Sequence, residues 1–202
     1  KTGPFANPQT ILLETPLPAI SGEITIDGFI PDRLWKATGV TLSGGDERRV
    51  LEIAEDGDVI LRNFTIADGQ ADIGGGLLNK GKLVIEGMLF ASNSADTAGG
   101  GLANSKGSVT VINTTFSTNA AGKQGGGMAN MSGKAIVTNS TFSENASPEA
   151  AGLFSSGALR LSNSILSGNE GASDCQSSGL WDIASKGNLI RTSDGCKGIA
   201  SH

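Results

Sequence analysis

The sequence predicts an all-β chain wound as a parallel β-solenoid, with three short strands in each turn of about 25 residues. Three observations carry that prediction. Glycine clusters recur in register as Gly74-Gly75-Gly76-Leu77, Gly99-Gly100-Gly101-Leu102 and Gly125-Gly126-Gly127-Met128, their starts 25 and 26 residues apart. A degenerate copy, Ala150-Ala151-Gly152-Leu153, follows after another 25. A lone glycine at 57, 81, 107, 133 and 157 precedes a segment in which apolar residues alternate with a position that admits polar ones. That period of two marks a strand with one buried face, and no helical 3.6 pattern competes with it.

Taken in order, residues 1–56 hold irregular N-terminal turns. Ile24 and Ile26 alternate as in a strand, as do Val40 and Leu42. Between them Phe29 to Gly39, with Pro31, Asp32, Arg33 and Trp35, breaks the period and reads as an extra loop. Residues 57–170 form the regular coils. Their inward columns read Val59, Leu83, Val109, Ala135, Leu159 and Leu61, Ile85, Val111, Val137, Leu161. The position between reads Ile60, Val84, Thr110, Ile136, Arg160. A further apolar column, Ile66, Phe90, Phe116, Phe142 and Leu166, predicts a stack of aromatic rings about 4.8 Å apart, the spacing of paired strands. Residues 171–202 leave the period and are expected to cap the open end, with Trp181, Ile183, Leu189 and Ile190 over its apolar columns. The whole, 1–202, reads as a single solenoid domain.

Asparagine recurs at Asn93, Asn119, Asn145 and Asn169, and again at Asn63, Asn113, Asn139 and Asn163; the glycine clusters end at Asn79, Asn104, Asn130 and Ser155. At bends this residue tolerates left-handed backbone, bonds nearby main chain and can bond its counterpart one turn away. Five of these residues, Asn63, Asn113, Asn130, Asn139 and Asn145, open N-x-S/T sequons, which read as by-products of ladder composition rather than glycosylation sites.

The bulk composition agrees. With 30 glycines in 202 residues the chain is far from collagen, and a net charge of −5 with recurring Leu, Ile and Val argues against disorder. Few large apolar side chains and no Tyr imply a core of thin stacked layers. A pI near 4.9 and scattered bases argue against nucleic acid as a main partner. No stretch approaches the roughly 20 apolar residues needed to span a bilayer. No signal peptide is visible, so the chain is expected to be a mature form or an excised segment. Cys175 and Cys196, 21 positions apart, are expected to form a disulfide, which implies an oxidising compartment. A metal site there lacks partners, and the only histidine, His202, excludes a Ser-His-Asp or Cys-His mechanism. No cofactor or metal is expected.

Candidate chemistry rests on charged residues of the outer face. Among acid pairs close in sequence, Asp68 and Asp72 best suit a two-carboxylate glycosidase, which needs carboxyls roughly 5–9.5 Å apart. A lyase needs a base with a cation, and Arg62 and Glu86 hold equivalent positions on successive turns. The plainer reading of Arg62 and Glu86, which we prefer, is an exposed cross-strand ion pair contributing about 0.2–1 kcal/mol.

Two motifs stand together: the glycine cluster closed by Leu or Met, and Phe-x-x-Asn at Phe90–Asn93, Phe116–Asn119 and Phe142–Asn145. Over residues 57–170 the pair resembles the repeats of the polymorphic membrane protein family of bacterial surface adhesins. It is also similar to the wider group of secreted bacterial right-handed β-helix proteins of pectate-lyase-like fold. Upstream, Leu17-Pro18-Ala19-Ile20 and Glu23–Gly28 look like the opening coils of such proteins; downstream, Asp174-Cys175 and Asp194-Gly195-Cys196 look like their closing segment. The resemblance implies right-handed winding and a secreted or cell-surface adhesin-like or glycan-binding module, taken here as a monomer that meets a polysaccharide or host glycan. The alternative it implies is a polysaccharide lyase or glycoside hydrolase, with Asp68, Asp72, Arg62 and Glu86 as candidates; a structural spacer is a third reading.

Overall fold

In the computed structural model, which describes residues 8–28, 39–179, 186–192 and 196, the backbone climbs as a parallel solenoid without helix among those residues. Each strand pairs with its equivalent one turn on. Leu83 lies beside Val109, Val109 beside Ala135 and Ala135 beside Leu159, which are offsets of 26, 26 and 24 residues. The alternation seen in the sequence therefore sets the inside and outside of the wall. The inward columns from Val59 to Leu159 and from Leu61 to Leu161 are at most 1% exposed.

A regular turn carries four strands rather than three. The turn that opens at Lys82–Glu86 continues through Leu89–Ala91, Ser94–Ala98 and Leu102–Asn104. The extra break falls at Asn79, Asn104, Asn130 and Ser155, where a buried polar side chain turns the wall. One turn lacks it. Ile53 stands in the register position of Asn79, and Leu51–Arg62 runs through the corner as one twelve-residue strand. That strand joins both arms into an eleven-stranded sheet; an eight-stranded sheet and a three-stranded one complete the wall.

The core is layered as the composition requires. Phe90, Phe116 and Phe142 are fully buried and stack with ring centroids 4.8 and 4.6 Å apart and planes within 11°. Glycine is required where the wall folds most tightly. Gly74, Gly99 and Gly125 hold φ of 64°, 67° and 66°, and a Cβ on the next residue, Gly75 or Gly100, would fall on the carbonyl oxygen of Ser94 or Ala120.

The asparagine columns divide into two kinds. Asn93, Asn119, Asn145 and Asn169 are buried, each Nδ2 donating to the next Oδ1 of the row, the last being that of Asp174, at 2.8–2.9 Å and to a main-chain carbonyl of the preceding turn at 2.9–3.0 Å. The Oδ1 of Asn119, Asn145 and Asn169 also accepts the backbone N–H of the asparagine one turn below, and that of Asn93 accepts the N–H of Gly69. Asn79, Asn104, Asn130 and Ser155 form a second buried ladder with steps of 2.8–2.9 Å. None of these has positive φ. Asn63, Asn113, Asn139 and Asn163 are instead exposed and left-handed, with φ of 50–60°, and Gly87 and Gly187 occupy the same corner. Among the sequons, Asn130 and Asn145 thus belong to ladders, whereas Asn63, Asn113 and Asn139 stand outside them on the surface. The next corner, at Asp68, Ser92, Thr118 and Glu144, is also left-handed, its strain offset by the ladder asparagine or glycine that follows.

A third buried row escaped the sequence. Backbone N–H groups of Met88, Thr114, Ser140 and Ser164 donate to the side-chain oxygens of Thr114, Ser140, Ser164 and Asn188 one turn on, at 3.0–3.5 Å.

The ends differ from the middle. Gly22 pairs with Gly57, an offset of 35, about ten more than a regular turn. Phe29, Pro31, Asp32, Arg33 and Trp35 lie outside the described residues, as do Trp181 and Ile183. Beyond residue 170 the described strands stay in the stack rather than leaving it as the lost period suggested. Ser173–Ser177 pairs with Ala150–Ser155, and Leu189–Ile190 with Ile165–Leu166, 24 residues back. The period was hidden because these strands carry polar residues such as Asp174 and Gln176 in place of the repeat motifs. The expected disulfide joins Cys175 to Cys196 there, with Cα atoms 5.6 Å apart.

Candidate functional site

The four charged residues singled out from the sequence do not converge. Arg62 ends the Leu51–Arg62 strand, Glu86 ends the Lys82–Glu86 strand, and register sets them side by side. Arg62 Nε lies 3.1 Å from Glu86 Oε2, with the side chains 40% and 44% exposed. The contact lacks hydrogen-bond alignment, so Arg62 Nε makes no hydrogen bond. It is a half-exposed cross-strand ion pair, close to the plainer reading, and worth little.

Asp68 and Asp72 bond in opposite directions along the stack. Asp68 sits at a left-handed corner and its Oδ2 accepts from Ser43 Oγ at 2.9 Å on the preceding turn. Asp72, in the Gln70–Ile73 strand, accepts from Thr97 Oγ1 at 2.7 Å on the following turn. Neither carboxylate turns towards the other.

Sequence reasoning missed the densest charged group. Glu52 is held by Arg49 Nη1 at 2.6 Å and Lys80 Nζ at 2.7 Å, while Arg49 also donates to the carbonyls of Ile73 and Gly74 at 2.9 and 3.1 Å. The hydrogen bond from Lys80, and then the charge of Arg49, hold the Glu52 carboxyl below its ordinary range against the opposing pull of burial. These bonds tie consecutive turns together. The only sequence signal was the adjacent pair Arg48-Arg49, since Glu52 and Lys80 are 28 positions apart. Lys82 donates to Asp58 at 2.7 Å, and that bond raises its ammonium above the ordinary lysine range.

The opposite wall has no such pairs. On the outside of the eight-stranded sheet, one column reads Thr41, Thr65, Leu89, Thr115, Thr141, Ile165, Leu189. The column beside it reads Ser43, Ala67, Ala91, Ser117, Ser143, of which Ser43 and Ala67 are buried. Both are free of charge. Leu89, Ile165 and Leu189 here are 36%, 46% and 47% exposed. Period-two alternation turns these residues outward because their neighbours Ile66, Phe90, Phe116 and Phe142 turn in. Among the described residues no three His, Cys, Asp or Glu side chains gather as metal ligands, and no helix is long and apolar enough to cross a membrane.

A family model described as the right handed beta helix region matches residues 36–200, and the chain belongs to that family. The winding is therefore right-handed, as the resemblance implied. Comparison with curated proteins and with solved structures returned no match.

Proposed function

We propose that this right-handed β-helix chain is a glycan-binding, adhesin-like module that works outside the bacterial cell. The observation that carries the reading is the division of its outer surface. Glu52, Lys80, Asp58, Lys82, Arg62 and Glu86 pair across neighbouring turns of one wall, while the opposite wall, the outward columns of the eight-stranded sheet, carries only threonine, serine, alanine and aliphatic side chains. Such a wall offers hydroxyl groups at the strand spacing together with apolar patches, the two contacts a sugar polymer can use. A glycosidase or lyase would need acids, or a base and a cation, free to meet a substrate, whereas Asp68 and Asp72 are each turned to a separate hydroxyl and Arg62 and Glu86 are turned to each other. The disulfide fits an oxidising, extracytoplasmic setting.

A glycan array probed with the intact chain, run beside assays for reducing ends and unsaturated uronates on plant and algal polysaccharides, tests the reading. Binding without turnover is the expected result. Turnover abolished by Asp72→Asn or Glu86→Gln would establish an enzyme instead.

A further inference from the structure

The two ends of the stack are finished differently. At one end the inward columns close on buried side chains, since Leu159, Leu161, Leu166 and Ile190 are at most 1% exposed. At the turn of residues 8–28 they stop in the open. Ile24, in the column of Val59, is 40% exposed, and Ile11, in the column of Leu42 and Ile66, is 50% exposed. An uncovered core column beside a free strand edge invites another chain.

The edge itself is set to receive a strand. Gly28 N–H donates to Arg62 O at 2.8 Å, which fixes the phase of the Ile20–Asp27 strand. Ile24 and Ile26 therefore direct their main-chain groups to the Leu51–Arg62 strand, and Glu23 and Thr25 direct theirs away from it. Among the described residues no strand lies on that side, and Glu23, Ile24 and Thr25 are all exposed.

Charge narrows what fits there. The column of Glu23 continues through Asp58 to Lys82, so two acids lie side by side, and the one cation, Lys82 Nζ, bonds Asp58. Glu23 makes no ion pair among the described residues. Residues 8–28 hold Glu14, Glu23 and Asp27 and no Lys or Arg, so a second copy set with this same end against it would oppose acid with acid.

We propose that this end takes a strand of a partner polypeptide as one more parallel rung, with Lys or Arg beside Glu23 and aliphatic residues beside Ile24 and Ile26. The chain uses that pattern itself on the other side of Asp58, where Lys82-Leu83-Val84-Ile85 lies in register. Main-chain bonds supply the pairing, and the two side-chain rows supply the selection. The surface is the end of the stack and not its uncharged wall, so the assignment is independent of the glycan reading.

Fluorescence anisotropy of a labelled peptide, Ser-Gly-Lys-Leu-Thr-Val-Thr, titrated with the intact chain tests this, beside the same peptide with Glu in place of Lys. The lysine peptide is expected to bind about tenfold more tightly. Glu23→Lys is expected to reverse that order in a chain that still melts as the wild type does. Thr25→Pro removes an N–H on the free side alone, as edge strands allow, and is expected to abolish binding of both peptides. Equal affinity for the two peptides, or an order that Glu23→Lys leaves as it was, overturns the charge pairing. Full affinity in a folded Thr25→Pro chain overturns strand addition, and binding of neither peptide overturns the proposal outright. A dimer of the chain alone in sedimentation, dispersed by Thr25→Pro, would make a second copy the occupant instead.

Discussion

Asn119 and Asn113 are six residues apart and recur in parallel columns, yet the solenoid uses them in opposite ways. Asn119 is buried inside the wall, where its Nδ2 donates to Phe90 O and Asn145 Oδ1 and its Oδ1 accepts from Asn93. Asn113 stands outside with φ of 50° and contributes a backbone conformation rather than a side-chain bond. The replacements found in each column show the requirement. Glycine stands in for the exposed corner at Gly87 and Gly187, which asks only for left-handed backbone. The buried ladder ends on Asp174, whose Oδ1 accepts from Asn169 N and Nδ2 at 3.1 and 2.8 Å, so that end of the row asks for an acceptor. Repetition of a residue type therefore reports a turn, but only its environment reports its job.

This difference has measurable consequences. Asn119→Ala removes a rung and leaves buried groups on both adjacent turns unpaired. It is expected to lower unfolding stability by about 3 kcal/mol or more, read from urea midpoints. A cost below about 1 kcal/mol would erase the distinction between the columns. Asn113→Gly should be nearly neutral, and Asn113→Val should cost about 1–2 kcal/mol because a β-branched residue resists left-handed backbone. Equal costs for the two Asn113 variants would show that its side chain, not its φ, matters.

The smallest effect belongs to the half-buried charges between these extremes. The Glu52 carboxyl is held below its ordinary value of 4.5, so its contribution is fully present above that pH and lost as pH falls through the lowered folded value. Glu52→Gln should lower stability at pH 7 by about 0.5–1 kcal/mol and flatten the acid limb below pH 4.5, as thermal melts across pH would record. An unchanged limb would mean that the links to Arg49 and Lys80 are idle.

Much of the stack was legible because inward and outward residues alternate within each strand and the glycine clusters mark every turn. The Phe90–Phe116–Phe142 stack and the Arg62–Glu86 pair follow from column arithmetic, and the Cys175–Cys196 bridge from there being only two cysteines. The fourth strand of each turn was not, since the buried Asn104 and the exposed Asn113 look alike as polar residues at bends. Nor was the continuation through Leu189–Ile190, where the repeat motifs give way while the register persists.

By itself the sequence determined the period, the inward face and the composition of each column, because these depend on neighbours two residues away and on a repeat spacing that the chain carries openly. Only the tertiary structure decided which asparagines are ladders and where Glu52 finds its cations. Those outcomes depend on atoms 26 to 28 positions apart meeting across turns, and hydrogen-bond direction has no counterpart in a string of residue types.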